Sequence, residues 1–170
     1  FFSHMLSRRE SRLEESNRHL KNEIQERKQY EEKLKLSDIE WNQTFNSISD
    51  FVSVHDMDHR FSRVNKAMAE YLGTSEEELI GRHCYEVLHN TDEPWPGCPH
   101  NKSIDSKMPA IAKVDDPHIG CPLMVTTSPL FDENNEMRGT IHIARDIGDL
   151  LQAEKREDDL REQLVQAQKM

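Results

Sequence analysis

The chain has 170 residues, a net charge of −10, 35% hydrophobic residues and 32% charged residues. Globular chains ordinarily carry about 45–50% apolar and about 25% charged residues, so this composition fits one small core bearing long solvated helices. The acidic balance speaks against a nucleic-acid interface, which needs Lys and Arg gathered on one face; Arg8-Arg9 and the Lys33, Lys35 pair are diluted by glutamates.

No run approaches the roughly 20 apolar residues that span a bilayer, and no signal peptide is expected. Phe1-Phe2 ahead of Arg8-Arg9 reads equally as the stub of a membrane anchor with its positive charges in the cytoplasm, or as an ordinary linker or cloning remnant. Residues 6–36 contain no Gly or Pro and are rich in helix formers. Leu6, Leu13, Leu20 and Leu34 keep a seven-residue spacing, with Arg27 in the open slot; Asn17, Ile24 and Glu31 are offset by four. This is a heptad seam with Leu at d and a weak, polar a position, and an Asn at a favours a parallel dimer in fixed register. A single solvated helix held by Glu–Lys pairs is the other reading. Ser37-Asp38 interrupts the pattern, and Ile39, Trp41, Phe45 and Ile48 resume it as a short amphipathic helix.

Residues 51–56 and 60–65 alternate as two strands joined at Met57-Asp58-His59, a hairpin. A helix follows through Ala67, Met68, Tyr71 and Leu72 to the stop at Gly73. Thr74 or Ser75 caps a second helix, Glu76-Glu77-Glu78-Leu79-Ile80, with Gly81 after it. Residues 83–89 read as a third helix, 90–97 as a Pro- and Gly-rich loop, and Cys98-Pro99 as the start of a fourth. Three strands follow, over 108–115, 121–131 and 136–146. Two strands, short helices and three strands predict an α+β fold: an antiparallel five-stranded sheet with helices on one face. From Ile147 onward Leu150, Ala153, Leu160, Leu164 and Ala167 form a second heptad segment, whose natural partner is the same helix of another copy. The expected domains are a signalling helix over 1–36, the α+β unit over 37–148 and a coiled-coil linker over 149–170.

In this order the residues resemble a PAS domain as found in sensor histidine kinases. Asn65-Lys66-Ala67-Met68-Ala69-Glu70-Tyr71-Leu72-Gly73 resembles the Asn-led helix after the PAS hairpin. Residues 76–81 resemble the acidic helix that ends in Ile-Gly. Asp146-Ile147 resembles the signal-transfer motif at the end of the last strand, although Gly148 replaces the usual Thr, which leaves the exit helix without its hydroxyl cap. Residues 160–170 look like the lead-in to a kinase phosphoacceptor helix. The resemblance implies a cytoplasmic, homodimeric sensing or relay module, a downstream kinase domain in the same chain and a response regulator as partner. A cyclase in place of the kinase is the other output. The fragment itself carries no phosphoacceptor or Gly-rich phosphate loop and is expected not to be an enzyme.

The resemblance also implies a ligand cavity between sheet and helices, lined by Val52, Val54, Met68, Leu72, Tyr85, Leu88, Ile104, Ile111, Met124 and Thr126. Thr127, Ser128 and His142 stand near it as polar contacts. A dry, closed core is the alternative, and would make the unit a ligand-free dimerisation linker. The cofactor is left unknown. Cys84, Cys98 and Cys121, with His100, are the candidate ligands for a metal ion or iron–sulfur centre, and His83, His89 and His118 lie close in sequence. A cysteine opening a helix, as Cys98 does, is stabilised as thiolate. No Cys-x-x-Cys knuckle is present, so redox sensing by free thiols and simple packing of small apolar side chains stay open beside metal binding. Covalent haem is excluded by the absence of Cys-x-x-Cys-His, while a haem held by His100 stays open. His83 beside Cys84 is a poor nucleophile–base pair, because neighbours on a helix diverge.

Overall fold

The computed structural model describes residues 2–168, with the side chains of residues 2–11, 13, 14 and 168 outside that description. It divides into two compact units, 1–44 and 45–170. The first helix, α1, runs unbroken over Phe2–Ser47. The interruption foreseen at Ser37-Asp38 does not end it. Neither residue is Gly or Pro, and each costs a helix interior only about 0.5 kcal/mol relative to Ala. Arg27 and Glu31 pair along it at 3.4 Å. The proposed seam residues Asn17, Leu20, Ile24 and Leu34 are exposed on the single chain, and the Leu13 side chain lies outside the described residues. No helix among the described residues is long and apolar enough to cross a membrane.

The second unit is built on an antiparallel sheet in the order β2-β1-β5-β4-β3. Its strands are β1 (Phe51–Asp56), β2 (Phe61–Val64), β3 (Ala110–Val114), β4 (Leu123–Phe131) and β5 (Met137–Asp146). Four short helices fill the stretch between β2 and β3: α2 (Lys66–Leu72), α3 (Glu76–Leu79), α4 (Cys84–His89) and α5 (Pro99–Ser106). They pack on one face of the sheet, α2 on β1, α3 on β2 and α5 on β3, β4 and β5.

The helices begin and stop where their caps dictate. Asn65, fully buried, accepts at Oδ1 from the amides of Met68 and Val52, and its Nδ2 donates to the carbonyls of Ile48 and Asp50. One side chain thus caps α2 and ties it to β1 and to the segment before β1. Ser75 caps α3, and Gly73 ends α2 in the left-handed conformation that only glycine adopts without cost.

The far end of the sheet is equally well defined. A single residue, Ile147, separates β5 from the exit helix α6 (Gly148–Gln168). Ile147 is buried and its amide donates to the Pro122 carbonyl. The missing hydroxyl of the signal-transfer motif is replaced by Asp146, whose Oδ1 accepts from the Gly148 amide at 2.8 Å. Arg145 in turn reaches Asp50, just before β1, through a two-pronged pair with its shortest contact at 2.7 Å. Entry and exit of the sheet are therefore joined by a charged clasp on the surface.

Candidate functional site

On β1 the side chains of Phe51, Ser53 and His55 face the helices, and Val52 and Val54 face away, because successive strand residues alternate. The register pairs Ser53 with His142 and His55 with Thr140 on β5, so the two histidines are diagonal neighbours on the covered face. α5 lays His100 over them. It is held there by Thr127 of β4, whose hydroxyl donates to the Pro99 carbonyl at 3.0 Å. His55, His100 and His142 are all buried, and one ring nitrogen from each lies within 4.8 Å of the others.

The rings of His55 and His142 stack with centroids 4.0 Å apart, and His59 of the hairpin turn brings its ring to 4.2 Å from that of His100. Hydroxyls hold the imidazoles in place. Ser53 Oγ lies 2.8 Å from His55 Nε2, and Thr140 Oγ1 lies 2.7 Å from His100 Nδ1 and 2.9 Å from His142 Nε2. His55 Nδ1 and His100 Nε2, both buried, have no hydrogen-bond partner. Burial, reinforced by the neighbouring imidazoles, lowers all three from the ordinary histidine value: His55 well below it, His100 to about 4 and His142 to about 3. The cluster is neutral at physiological pH, and neutral imidazole is the form that coordinates metals.

Beside the cluster lies an apolar cavity of about 70 Å³. Its walls include Phe51, Met68, Leu72, Leu88, Val125 and His142, together with Cys84 and Cys98. Pockets for drug-sized ligands run to about 300–1,000 Å³. This one has room for a few small atoms and none for haem or flavin, so a haem on His100 does not fit.

The cavity wall corrects the sequence-based lining. Met68, Leu72, Leu88 and His142 line it. Val52, Val54, Met124 and Thr126 lie one residue out of phase, on the opposite face of their strands, where Leu123 and Val125 take the inner positions. Ile111 is 66% exposed on the edge strand β3. Tyr85 stacks on His83, and Ile104 is half-buried outside the cavity. Thr127 is buried and anchors α5, while Ser128 falls on the other face of β4.

The cysteine site is corrected too. Among the described residues, the three histidines are the only group of three or more potential ligands that converges. Of the predicted set His100 belongs to it, and Cys84, Cys98 and Cys121 do not. All three cysteines are free. Burial pushes Cys84 up to about 12, and it raises Cys98 despite the amides of His100 and Asn101 at the head of α5. The helix start therefore yields no activated thiolate here. Cys121 is raised chiefly by burial and accepts from the Tyr71 hydroxyl at 3.2 Å. Of the flanking histidines, His83 pairs with Glu86 at 3.0 Å and His89 with Asp116 at 2.7 Å.

His55 was the residue sequence reasoning missed. Its signal was the second phase of the β1 alternation, Phe51-x-Ser53-x-His55, which became legible only once β5 was in register beside it.

An antiparallel sheet in this strand order, with four short helices over one face and a core cavity beneath them, defines a distinct α+β module. The model of the PAS fold family matches residues 45–152, and the chain belongs to that family. Comparison with curated proteins gave no match. Among solved structures, the PAS domain of an HTR-like protein from Haloarcula marismortui is similar at 20% identity, covering 71% of this chain and 99% of that one with a TM-score of 0.50. The VqmA receptor of Vibrio cholerae is similar at 18% identity, covering 66% of this chain and 53% of its own, with a TM-score of 0.53. An RNA-binding light-oxygen-voltage receptor gives 16% identity, 75% and 38% coverage and a TM-score of 0.53. The chain thus spans about half the length of VqmA. These identities establish the fold and nothing further.

Proposed function

We propose that this chain is the sensing or relay module of a two-component sensor histidine kinase, acting as a cytoplasmic homodimer and passing a change in the sheet to α6. The observation that carries this reading is the junction at Ile147. A strand that runs into a helix across one buried residue cannot shift or twist without moving that helix. The Asp50–Arg145 clasp links the residues ahead of β1 to the same strand, so a movement entering from the N-terminal side would reach the same junction. Two packings of α6 against its copy, unequally favoured by two states of the sheet, would bias a downstream kinase domain and through it a response regulator.

The dimer is supported by what α6 leaves uncovered. Leu150, Leu160 and Leu164 are 56–65% exposed at heptad spacing along α6. VqmA, a protein of the same fold, is a dimer. The kinase output rests on the resemblance of residues 160–170 to the lead-in of a phosphoacceptor helix. Sedimentation at micromolar concentration tests the assembly. The chain should run as a dimer and the Leu160→Lys, Leu164→Lys double variant as a monomer; a monomeric parent chain would contradict the reading.

A further inference from the structure

We propose that His55, His100 and His142 form a binding site for one divalent transition-metal ion of the zinc, cobalt or nickel type, and that this ion is the signal the module detects. The proposal rests on the sensor reading above and names its ligand.

The geometry is close to what such an ion requires. Imidazoles around zinc bind at about 2.0–2.1 Å, which in a tetrahedral arrangement sets their nitrogens about 3.4 Å apart. The three rings already offer one nitrogen each within 4.8 Å of the others. Small rotations of the rings complete the approach. Three ligands leave a fourth position open to water or another small donor, as in sites that exchange their ion or its outer ligand.

Hydrogen bonding points the same way. A ligating imidazole is held through its other nitrogen by an outer partner that fixes its orientation. Ser53 serves His55, and Thr140 serves His100 and contacts His142. Yet His55 Nδ1 and His100 Nε2 are buried with no partner. A buried polar atom left unpaired costs about 1–3 kcal/mol, and native proteins keep few of them without a reason. Two in one cluster of three rings are explained by something that the rings bind.

The donor set selects the class of ion. No carboxylate or thiolate belongs to the converging group, which rules against calcium and magnesium, both of which take oxygen ligands. Nitrogen-only sites suit zinc, cobalt, nickel and copper. His59, half-buried with its ring against that of His100, brings the cluster within one imidazole of the surface and marks a route of entry.

The three ligands come from three elements, β1, α5 and β5. An ion drawing them together would pull α5 onto the central strands, and His142 stands four residues before Asp146, where β5 gives way to α6. Binding would thus act on the strand that carries the output.

The test uses tag-free protein stripped with a chelator. Equilibrium dialysis against Zn²⁺, and titration with Co²⁺ followed by its visible absorption bands, should give one ion per chain. His100→Gln and His142→Gln should each weaken binding at least about 100-fold, and Thr140→Val, which keeps the rings and removes only the outer hydroxyl, by about 10–100-fold. Cys84→Ser and Cys121→Ala should bind as the parent does. Circular dichroism melting of each variant separates lost binding from lost folding, and Thr140→Val carries the test if the histidine variants fail to fold. No stoichiometric ion, binding that survives both histidine substitutions in folded protein, or binding lost in Cys84→Ser would overturn the site. Those outcomes leave the relay reading to its own experiments, and a monomeric parent chain would remove that reading without touching the site.

Discussion

Replacing Asn65 is the sharpest test of how the sensory unit is held together. Its side chain makes four hydrogen bonds, to two amides and two carbonyls drawn from three different segments. Asn65→Ala orphans all four. The carbonyls of Ile48 and Asp50 are only partly buried and can turn to water, so they add little. The amides of Val52 and Met68 are buried, and leaving each unpaired costs about 1–3 kcal/mol, within which the lost helix cap of about 1 kcal/mol is already counted. The expected loss is about 3–5 kcal/mol, a large share of the about 5–15 kcal/mol that holds a typical domain together. Urea unfolding followed by the fluorescence of Trp95 beside the cavity, with Trp41 of α1 replaced by Phe in every variant so that the arm is silent, measures it. Asn65→Asp sharpens the test. It keeps the acceptor for both amides but sets a carboxylate oxygen against two carbonyls, so the folded state favours the protonated acid. That variant should gain stability relative to the parent as pH falls towards 4, because protonation restores one donor. An Asn65→Ala loss below about 1 kcal/mol, or an Asn65→Asp variant with no such trend, would refute the role given to this residue.

Two further outcomes follow from the same packing. Gly139 has φ of +153°, and a Cβ there would lie 1.9 Å from the His55 carbonyl oxygen, so Gly139→Ala should cost more than about 3 kcal/mol in urea unfolding and disturb β1–β5 pairing beside the histidines; a loss within 1 kcal/mol would contradict that close approach. Burial keeps the Cys84 thiol protonated to about 12, against an ordinary 9.0. Unfolded chains release that proton first, so stability is intact below pH 9 and declines above it, by about 1.4 kcal/mol from this residue at pH 10. The difference between the parent and Cys84→Ala profiles isolates that contribution, and parallel profiles would deny the burial effect.

The fold was legible because its punctuation is local. Asn65, Gly73 and Ser75 mark helix boundaries by their own chemistry, whatever the rest of the chain does. The strands were legible as strands but not in their phase. Val52, Met124 and Ile143 are apolar on the outer face of the sheet while Ser53, His55, Thr127 and His142 are polar on the inner one, so hydrophobicity pointed to the wrong side. A polar patch inside a core inverts the usual pattern, and only strand pairing reveals it. The same inversion drew attention to the cysteines. They are the residues with the most familiar ligand chemistry, yet among the described residues they join no converging group of three ligands, and their thiols are raised by burial, while histidines 87 positions apart in sequence, His55 and His142, meet through the register of β1 and β5. At α1 the failure was different: Ser37-Asp38 weakens the heptad pattern without carrying any residue that stops a helix.

The central claim is that the sheet moves α6 and that α6 sets the output. Autophosphorylation of this chain joined at its C-terminal end to a dimeric histidine-kinase core, with insertions of one to seven residues after Leu160, tests it most directly. A heptad-paired helix predicts that activity varies with insertion length and returns to the parent level at seven residues, where the seam is restored. Activity that stays level across the whole series would contradict it.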